Sequence, residues 1–289
     1  MTSLTMPFAK EADSAAAGCR AFVAEQLRAG TLRLPVLPKV AGQVMTMTAD
    51  PHTQLSSLSA LIHRDQALAS HVLRIANSAA YAGSEPFVSL QQAVTRLGMK
   101  LLSEVALALT LQGGTFQVPA FQNEIKRMWR HALATATWAK EVARLKRQNV
   151  EGQFLCGLLH AVGKPVALQS IATWQETEKM QLEAATVALL VEDLHCGIGA
   201  LVAQHWKLPQ QVQMVCSYYR RYAEATTFQV ETATTYLSAR LADWVIAEGA
   251  STALLADPVL VALNIYPDDF ESLLAKKDAV VTSVNAMEF

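Results

Sequence analysis

Three histidines and one aspartate have the residue types and helical settings of a metal site. They are His131, His160, His195 and Asp243, separated in turn by 29, 35 and 48 positions. Each lies in an apolar segment of helical periodicity that predicts an inward side chain. Imidazole nitrogens and carboxylate oxygens bind divalent metals, so four helices bringing these residues together would form an interhelical metal site. The alternative for each residue is a hydrogen-bonded place in the core.

His160 stands at the end of the apolar run FLCGLLHAVGK, residues 154–164. The run has no polar face, which is typical of a buried helix. We expect Gly163 to cap this helix at its C-terminus and Pro165 to prevent its continuation. A histidine at such a buried end is either a hydrogen-bonded core residue or a metal ligand, and the residue next to it, Ala161, supplies no ligand atom.

Helical periodicity extends through nearly the whole chain, and we therefore predict an all-α protein. Two S/T-x-x-E/Q capping boxes, at Ser89–Gln92 and Thr173–Glu176, predict helix starts. The pattern predicts helices near 15–29, 38–48, 55–63, 66–77, 89–97, 99–111, 119–147, the run ending at His160, 175–190, 191–206, 209–224, 230–248 and 258–277.

The helices divide into two lobes at Gly113-Gly114, a break too short for a flexible tether. We predict an N-terminal helical extension over residues 1–32, a first helical lobe over 33–114, a second over 115–277 and a C-terminal tail over 278–289. The two lobes are expected to pack against each other.

Composition excludes several classes of protein. Hydrophobic residues make up 52% of the 289 residues and charged residues 17%, while 24 Lys and Arg nearly balance 25 Asp and Glu. No overall field would therefore attract nucleic acid or an anionic membrane. No uninterrupted apolar run is long enough to span a bilayer, and the N-terminus lacks a signal peptide, so we expect a cytoplasmic protein. The four scattered cysteines predict neither disulfides nor a zinc knuckle.

Several motifs, in a fixed order, resemble a known family. The second lobe resembles the HD-domain superfamily of metal-dependent phosphohydrolases, and both lobes together resemble the HDOD family, a catalytically degenerate branch found in bacterial signalling proteins. The resemblance implies an N-terminal helical bundle packed on an HD-like lobe. It covers residues 33–277 and rests on LPVLPKVAGQVM (34–45), LIHRDQALASHVLRIANSAAY (61–81), SLQQAVTRLGMKLL (89–102), MWRHALATATWAKEVA (128–143), FLCGLLHAVGK (154–164), HCGIGALVAQHWKLP (195–209) and ARLAD (239–243).

The resemblance assigns roles to the four metal-site candidates. His131 matches the first ligand histidine, His160 matches the histidine of the His-Asp pair, His195 matches a further histidine and Asp243 matches the closing aspartate. Ala161 stands where the HD-domain superfamily has the aspartate of the His-Asp pair, so an anionic ligand is missing. The cluster is therefore expected to be vestigial, with no catalytic residue, no bound metal and no other cofactor; a single metal held without turnover is the alternative.

A second departure lies in VCSYYRRY, residues 215–222. Metal-binding relatives often carry a pair of histidines where this chain has Tyr218 and Tyr219. Phenols are normally protonated at neutral pH and are poor metal ligands. This substitution also favours a lobe without hydrolytic activity.

The resemblance and the missing ligand together predict a non-enzymatic regulatory module that binds a partner protein in a bacterial signalling pathway, with a small ligand as an option. The alternative is a residual metal-dependent phosphohydrolase acting on a nucleotide or a cyclic dinucleotide. The oligomeric state stays open. A polar turn formed by Asn77, Ser78 and Tyr81 is a candidate interaction site, although such residues often only cap a helix.

Residues 119–150 carry an excess of positive charge, with seven basic residues against two acidic ones. Lys126, Arg127 and Arg130 are the candidate contacts in this segment, for an acidic protein partner or a nucleic acid. No aromatic residues interleave on that face to stack bases, which disfavours nucleic acid. The remaining alternative is a solvated helix face.

Overall fold

The fold is all-α, as predicted. The protein is described by a computed structural model, which covers residues 7–82, 87, 89–113, 116, 118–247 and 252–288. These residues form helices joined by turns and contain no strand. The four cysteines are free thiols, as their scattered spacing predicts.

The first part of the chain forms five helices. The first of them, α1, packs on the second lobe against two helices that begin at Gly163 and Ala184. The other four pack on one another as the first lobe, with the longest of them in contact with the other three. The helices are α1 (Pro7–Ala29), α2 (Lys39–Ala49), α3 (Leu55–His63), α4 (Gln66–Ala76) and α5 (Leu90–Gln112).

The second lobe is built around one long helix. The elements of this lobe and of the C-terminal region are α6 (Gln122–Leu145), α7 (Val150–Leu159), α8 (Gly163–Glu178), α9 (Ala184–His205), α10 (Gln210–Tyr218), α11 (Gln229–Ala247), α12 (Thr252–Leu255), α13 (Pro258–Ala262), α14 (Pro267–Leu274) and α15 (Lys277–Met287). Two 3-10 turns, Pro119–Phe121 and Tyr219–Glu224, precede α6 and follow α10. Helix α6 packs against α7 and α11, and α8 packs along α9.

The local signals in the first lobe are confirmed. The hydroxyl of Ser89 accepts a hydrogen bond from the Gln92 amide at 3.2 Å and so caps α5, as the capping box predicts. Gly98 interrupts α5 with a φ of +71°, a conformation that favours glycine. The predicted break between segments 89–97 and 99–111 therefore appears as a kink inside one element.

The prediction around residues 163–206 is wrong in three respects. Gly163 does not cap the preceding helix but begins α8, and Pro165 lies in the first turn of α8, where its missing N–H costs no hydrogen bond. Thr173 lies inside α8 and donates to the Gln169 carbonyl at 3.0 Å, so it does not cap a helix start. The helices predicted at 175–190 and 191–206 are replaced by the end of α8 and the single helix α9.

The two lobes meet where α5 packs against α7, and an ion pair joins α5 to α6. The ammonium of Lys140 on α6 donates to the carboxylate of Glu104 on α5, and only 6% of the Glu104 side chain is exposed. Helix α15 packs on both α6 and α5, so residues of the predicted tail over 278–289 form a helix that covers the junction. The lobes are therefore joined by a buried ion pair and a shared helical cover.

Two stretches are long and apolar enough to span a membrane by length and composition alone. They are residues Val150–Glu178, where 78% of the apolar window is buried in the fold, and Ala184–His205, where 39% is buried. The first stretch comprises α7 and α8 rather than one helix. Core helices of soluble proteins pass the same test, so this gives only weak support for membrane insertion.

Candidate functional site

The imidazole of His160 lies in the core with one nitrogen bonded and the other unpaired. It follows the last residue of α7, and its Nδ1 is 2.7 Å from the Gly157 carbonyl, to which it must donate because a carbonyl only accepts. Only 1% of the residue is exposed, and Nε2 has no hydrogen-bond partner. Burial, reinforced by the nearby His131, lowers the pKa of His160 well below its usual 6.5. His160 is therefore a neutral core histidine with one hydrogen bond, and its Nε2 atom leaves the ligand alternative open.

His131 on α6 pairs with Asp243 on α11. The two atoms Nε2 and Oδ1 are 3.0 Å apart, and the ring of His131 lies 5.6 Å from that of His160. The side chain of Asp243 is 56% exposed, so the prediction that it is buried is wrong. Although partial burial raises the pKa of Asp243, its hydrogen bond to His131 and the charges of His131 and Arg240 lower it more, to a net value below the usual 3.8. Asp243 is a charged residue at the rim of the cluster.

His195 and Tyr219 complete the cluster. His195 on α9 is fully buried, and burial together with the charge of Lys164 lowers its pKa to about 3. The ring of Tyr219 packs edge-on against His160, with centroids 4.8 Å apart, and lies 5.7 Å from the ring of His195. Burial raises the pKa of Tyr219 well above 10, so its phenol stays protonated. The structure thus brings the four predicted residues together, with a tyrosine ring against two of them.

Two glycines let the helices approach closely enough to form this cluster. A Cβ atom on Gly157 would lie 2.6 Å from the Ala136 Cα, and one on Gly163 would lie 2.0 Å from the His195 carbonyl oxygen. Both distances are shorter than any van der Waals contact. Glycine is therefore needed at both positions, where α7 crosses α6 and where α8 begins against α9.

An ionic network that the sequence analysis missed borders the cluster. The carboxylate of Glu192 on α9 accepts from Lys164 on α8 and from Arg220, and it lies 3.7 Å from the His195 Nε2. Burial raises the pKa of Glu192, but these cations, with Lys164 first, lower it to a net value below 4.5. The position of Glu192 three residues before His195, on the same helix face, is the signal that points to it.

Among the residues that the structure describes, no three His, Cys, Asp or Glu side chains lie close enough together to hold a metal ion. Ala161, beside His160, offers no ligand atom. Tyr218, the other residue of the predicted tyrosine pair, is partly buried, and the guanidinium of Arg221 lies 5.8 Å from its ring centroid.

The polar atoms of the candidate turn at the end of α4 are engaged within the chain. The Asn77 amide donates to the Phe87 carbonyl at 2.9 Å and accepts from the Phe87 amide at 2.7 Å. The Ser78 hydroxyl donates to the Ile75 carbonyl, and Tyr81 packs against the core. These contacts agree with the local-cap alternative, and an interaction through this turn stays a prediction.

The basic residues of α6 do not form one charged face. Arg127 pairs with Glu124 at 3.0 Å, and Arg130 pairs with Glu288, beyond α15, at 2.8 Å. Lys126 is exposed and forms no ion pair with any described residue. Two of the three candidate contacts are thus neutralised locally, and an interaction through these residues stays a prediction.

Comparison with known proteins agrees with this architecture. The family model for the HDOD domain matches residues 34–222, and the chain therefore belongs to the HDOD-domain family. The resemblance inferred from the motifs is confirmed.

Individual relatives are distant. A protein of Treponema pallidum (strain Nichols), named only as uncharacterised, is 26% identical over 187 residues, and the chain spans 36% of its length. Among solved structures, an HDOD domain protein with unknown function from Geobacter sulfurreducens has a TM-score of 0.72 at 20% identity, covering 94% of this chain and 98% of that one. A protein of Shewanella amazonensis SB2B, provisionally named a phosphohydrolase, has a TM-score of 0.68 at 22% identity, covering 92% and 98%. These likenesses support the fold.

Proposed function

We propose that this chain is a non-enzymatic regulatory module that binds a partner protein in a bacterial signalling pathway. The observation that carries the proposal is the Tyr219 ring, which packs against both His160 and His195 where a metal-binding lobe needs donor atoms. A protonated phenol donates a hydrogen bond but gives a divalent cation no anionic ligand. The HDOD family, which the resemblance links to bacterial signalling, suits such a role.

The residues present do not fit the divalent metal of the HD superfamily. Hydrolysis of a phosphoester by a metal requires the cation to acidify water and to hold phosphate oxygens, and carboxylates are the ligands that hard cations prefer. The adjacent aspartate is replaced by Ala161, and Asp243 is hydrogen-bonded to His131. His160, His195 and Tyr219 instead form an uncharged, packed core that holds α7 and α9 against the turn containing Tyr219, with the charged Asp243 at its rim.

One observation favours the alternative of a residual phosphohydrolase acting on a nucleotide or a cyclic dinucleotide. The Nε2 atom of His160 is buried without a hydrogen-bond partner, so one imidazole lone pair remains free to bind a cation. A second histidine, His131, lies 5.6 Å away between ring centres. Whether the protein binds a metal therefore distinguishes the regulatory module from the residual phosphohydrolase.

Elemental analysis of protein purified without a metal-affinity column, paired with thermal unfolding in Mn²⁺ or Mg²⁺, tests the proposal. We expect no stoichiometric metal. We also expect the same melting temperature with and without added cation, because a cation raises the melting temperature only if it binds the folded protein. The matched variant is His131→Ala, which removes the pair with Asp243. A stoichiometric metal that is lost in this variant would overturn the proposal and favour the hydrolase.

A further inference from the structure

A groove between the first lobe and the start of α6 is bordered by three cations that form no ion pair with any described residue. It consists of two adjoining recesses of about 860 and 920 Å³, which share Asp65 and Ala67 as lining residues. Lys39 and Arg64 line the first recess, and Lys126 lines the second. We call these two recesses the basic groove.

The basic groove combines positive charge with apolar surface. Its one carboxylate, Asp65, already accepts a hydrogen bond from the Leu68 amide at 3.0 Å as the N-cap of α4. The second recess is lined by Val36, which is 81% exposed, and by Trp129. A segment that carries carboxylates beside an exposed apolar side chain matches this surface.

The same chain presents such a segment in its C-terminal region. Val261 and Tyr266 are 80% and 68% exposed. The first two turns of α14 carry Asp268, Asp269 and Glu271, and none of these carboxylates forms an ion pair within the part of the chain that the structure describes. We call these five residues the acidic patch.

The basic groove and the acidic patch lie at opposite ends of α6. Lys126 is in the second turn of α6, whereas Lys146, just after its end, donates to the Asn264 carbonyl beside the patch. Twenty residues of α-helix separate these lysines, which corresponds to about 30 Å. The patch therefore cannot reach the groove of its own chain.

We propose that a second copy of this chain docks its acidic patch into the basic groove. The patch supplies three carboxylates and two apolar side chains, and the groove supplies three cations and an apolar wall. Because the two surfaces differ, the contact is head-to-tail, and a pair of copies leaves one groove and one patch free for further copies. The inference does not rest on the loss of the metal site.

Light scattering on the full chain, over a range of protein concentrations, tests the proposal. We expect the average mass to rise with concentration at low salt, with a Kd below about 1 mM, and to return towards the monomer mass in about 0.5 M NaCl, which screens surface charges. A mass that stays at one chain at low salt would contradict the proposal.

Charge reversal on each surface identifies the contact. The groove variant is Arg64→Glu with Lys126→Glu, and the patch variant is Asp268→Lys with Glu271→Lys. Each alone is expected to weaken self-association at least about tenfold, since like charges then face each other. The matched control for the groove variant, Lys179→Glu with Lys207→Glu, makes the same change in net charge on exposed lysines outside the groove.

Mixtures of the variants give the decisive result. A groove variant keeps an intact patch and a patch variant keeps an intact groove, so an equal mixture is expected to form one-to-one dimers that grow no further. Circular dichroism and thermal unfolding verify that each variant is folded. Self-association unchanged in both variants, or a mixture that remains monomeric, would overturn the proposal.

Discussion

Replacing Lys140 with leucine should lower the free energy of unfolding by about 3–5 kcal/mol, because it leaves the Glu104 carboxylate buried without its cation. Burial already raises the pKa of Glu104 even with Lys140 beside it. Urea unfolding near neutral pH measures the loss. The effect should shrink at lower pH, where Glu104 takes up a proton and no longer carries an uncompensated charge.

The matched control is the double variant Glu104→Leu with Lys140→Leu. Removing both charges leaves apolar side chains at the contact between α5 and α6, and such replacements are often neutral or stabilising. We therefore expect the double variant to be more stable than Lys140→Leu alone, and a double-mutant cycle gives the coupling energy. Additive losses in the cycle would show that the pair does not couple the two lobes.

Lowering the pH from 6.5 to 5 should reduce the free energy of unfolding by about 3 kcal/mol through His160 and His195, because the slope for each histidine rises from about 0.7 to about 1.4 kcal/mol per pH unit as the unfolded residue becomes fully protonated. Burial lowers the pKa of His160 well below 6.5 and, with Lys164, that of His195 to about 3. The unfolded chain, with histidine pKa values near 6.5, therefore binds more protons in this window. The contribution of the two histidines to stability is fully present above the pKa of the unfolded residues. It decreases as the pH falls towards their pKa values in the folded state.

Urea unfolding at a series of pH values measures this slope. The variant His195→Gln removes one of the two titrating groups, so its unfolding free energy should fall less steeply between pH 6.5 and 5. His52→Gln is the control, because His52 is exposed and lies outside the cluster. If His195→Gln and the wild type have the same slope, His195 does not titrate differently in the folded state.

The positions of the buried histidines followed from the sequence, but that of Asp243 did not. His195 lies in a helix whose inward face is regular, and the structure buries it completely. Asp243 follows Leu241 and Ala242, which are both buried, yet each step along a helix turns the side chain by about 100°. A residue at the edge of an apolar stripe can therefore face solvent, and only the packing of α11 on α6 decides it.

Gly163 shows why local signals mislead in this lobe. Glycine followed by proline ends many helices, but here Gly163 begins one because α9 passes within van der Waals distance of its backbone. The contact of Gly163 with α9 joins residues at least 32 positions apart in the chain. Helical periodicity carries no information about such a tertiary contact. The contact from Lys164 and Arg220 to Glu192 escaped the sequence analysis for the same reason.

The most direct test of the central claim, that the histidine cluster does not hydrolyse phosphoesters, is a turnover measurement. Wild-type protein and His131→Ala would be incubated with bis(p-nitrophenyl) phosphate and with a cyclic dinucleotide, each with added Mn²⁺ or Mg²⁺. We predict the same background rate for both proteins and no dependence on the metal. Metal-dependent turnover by the wild type that disappears in His131→Ala would contradict the account.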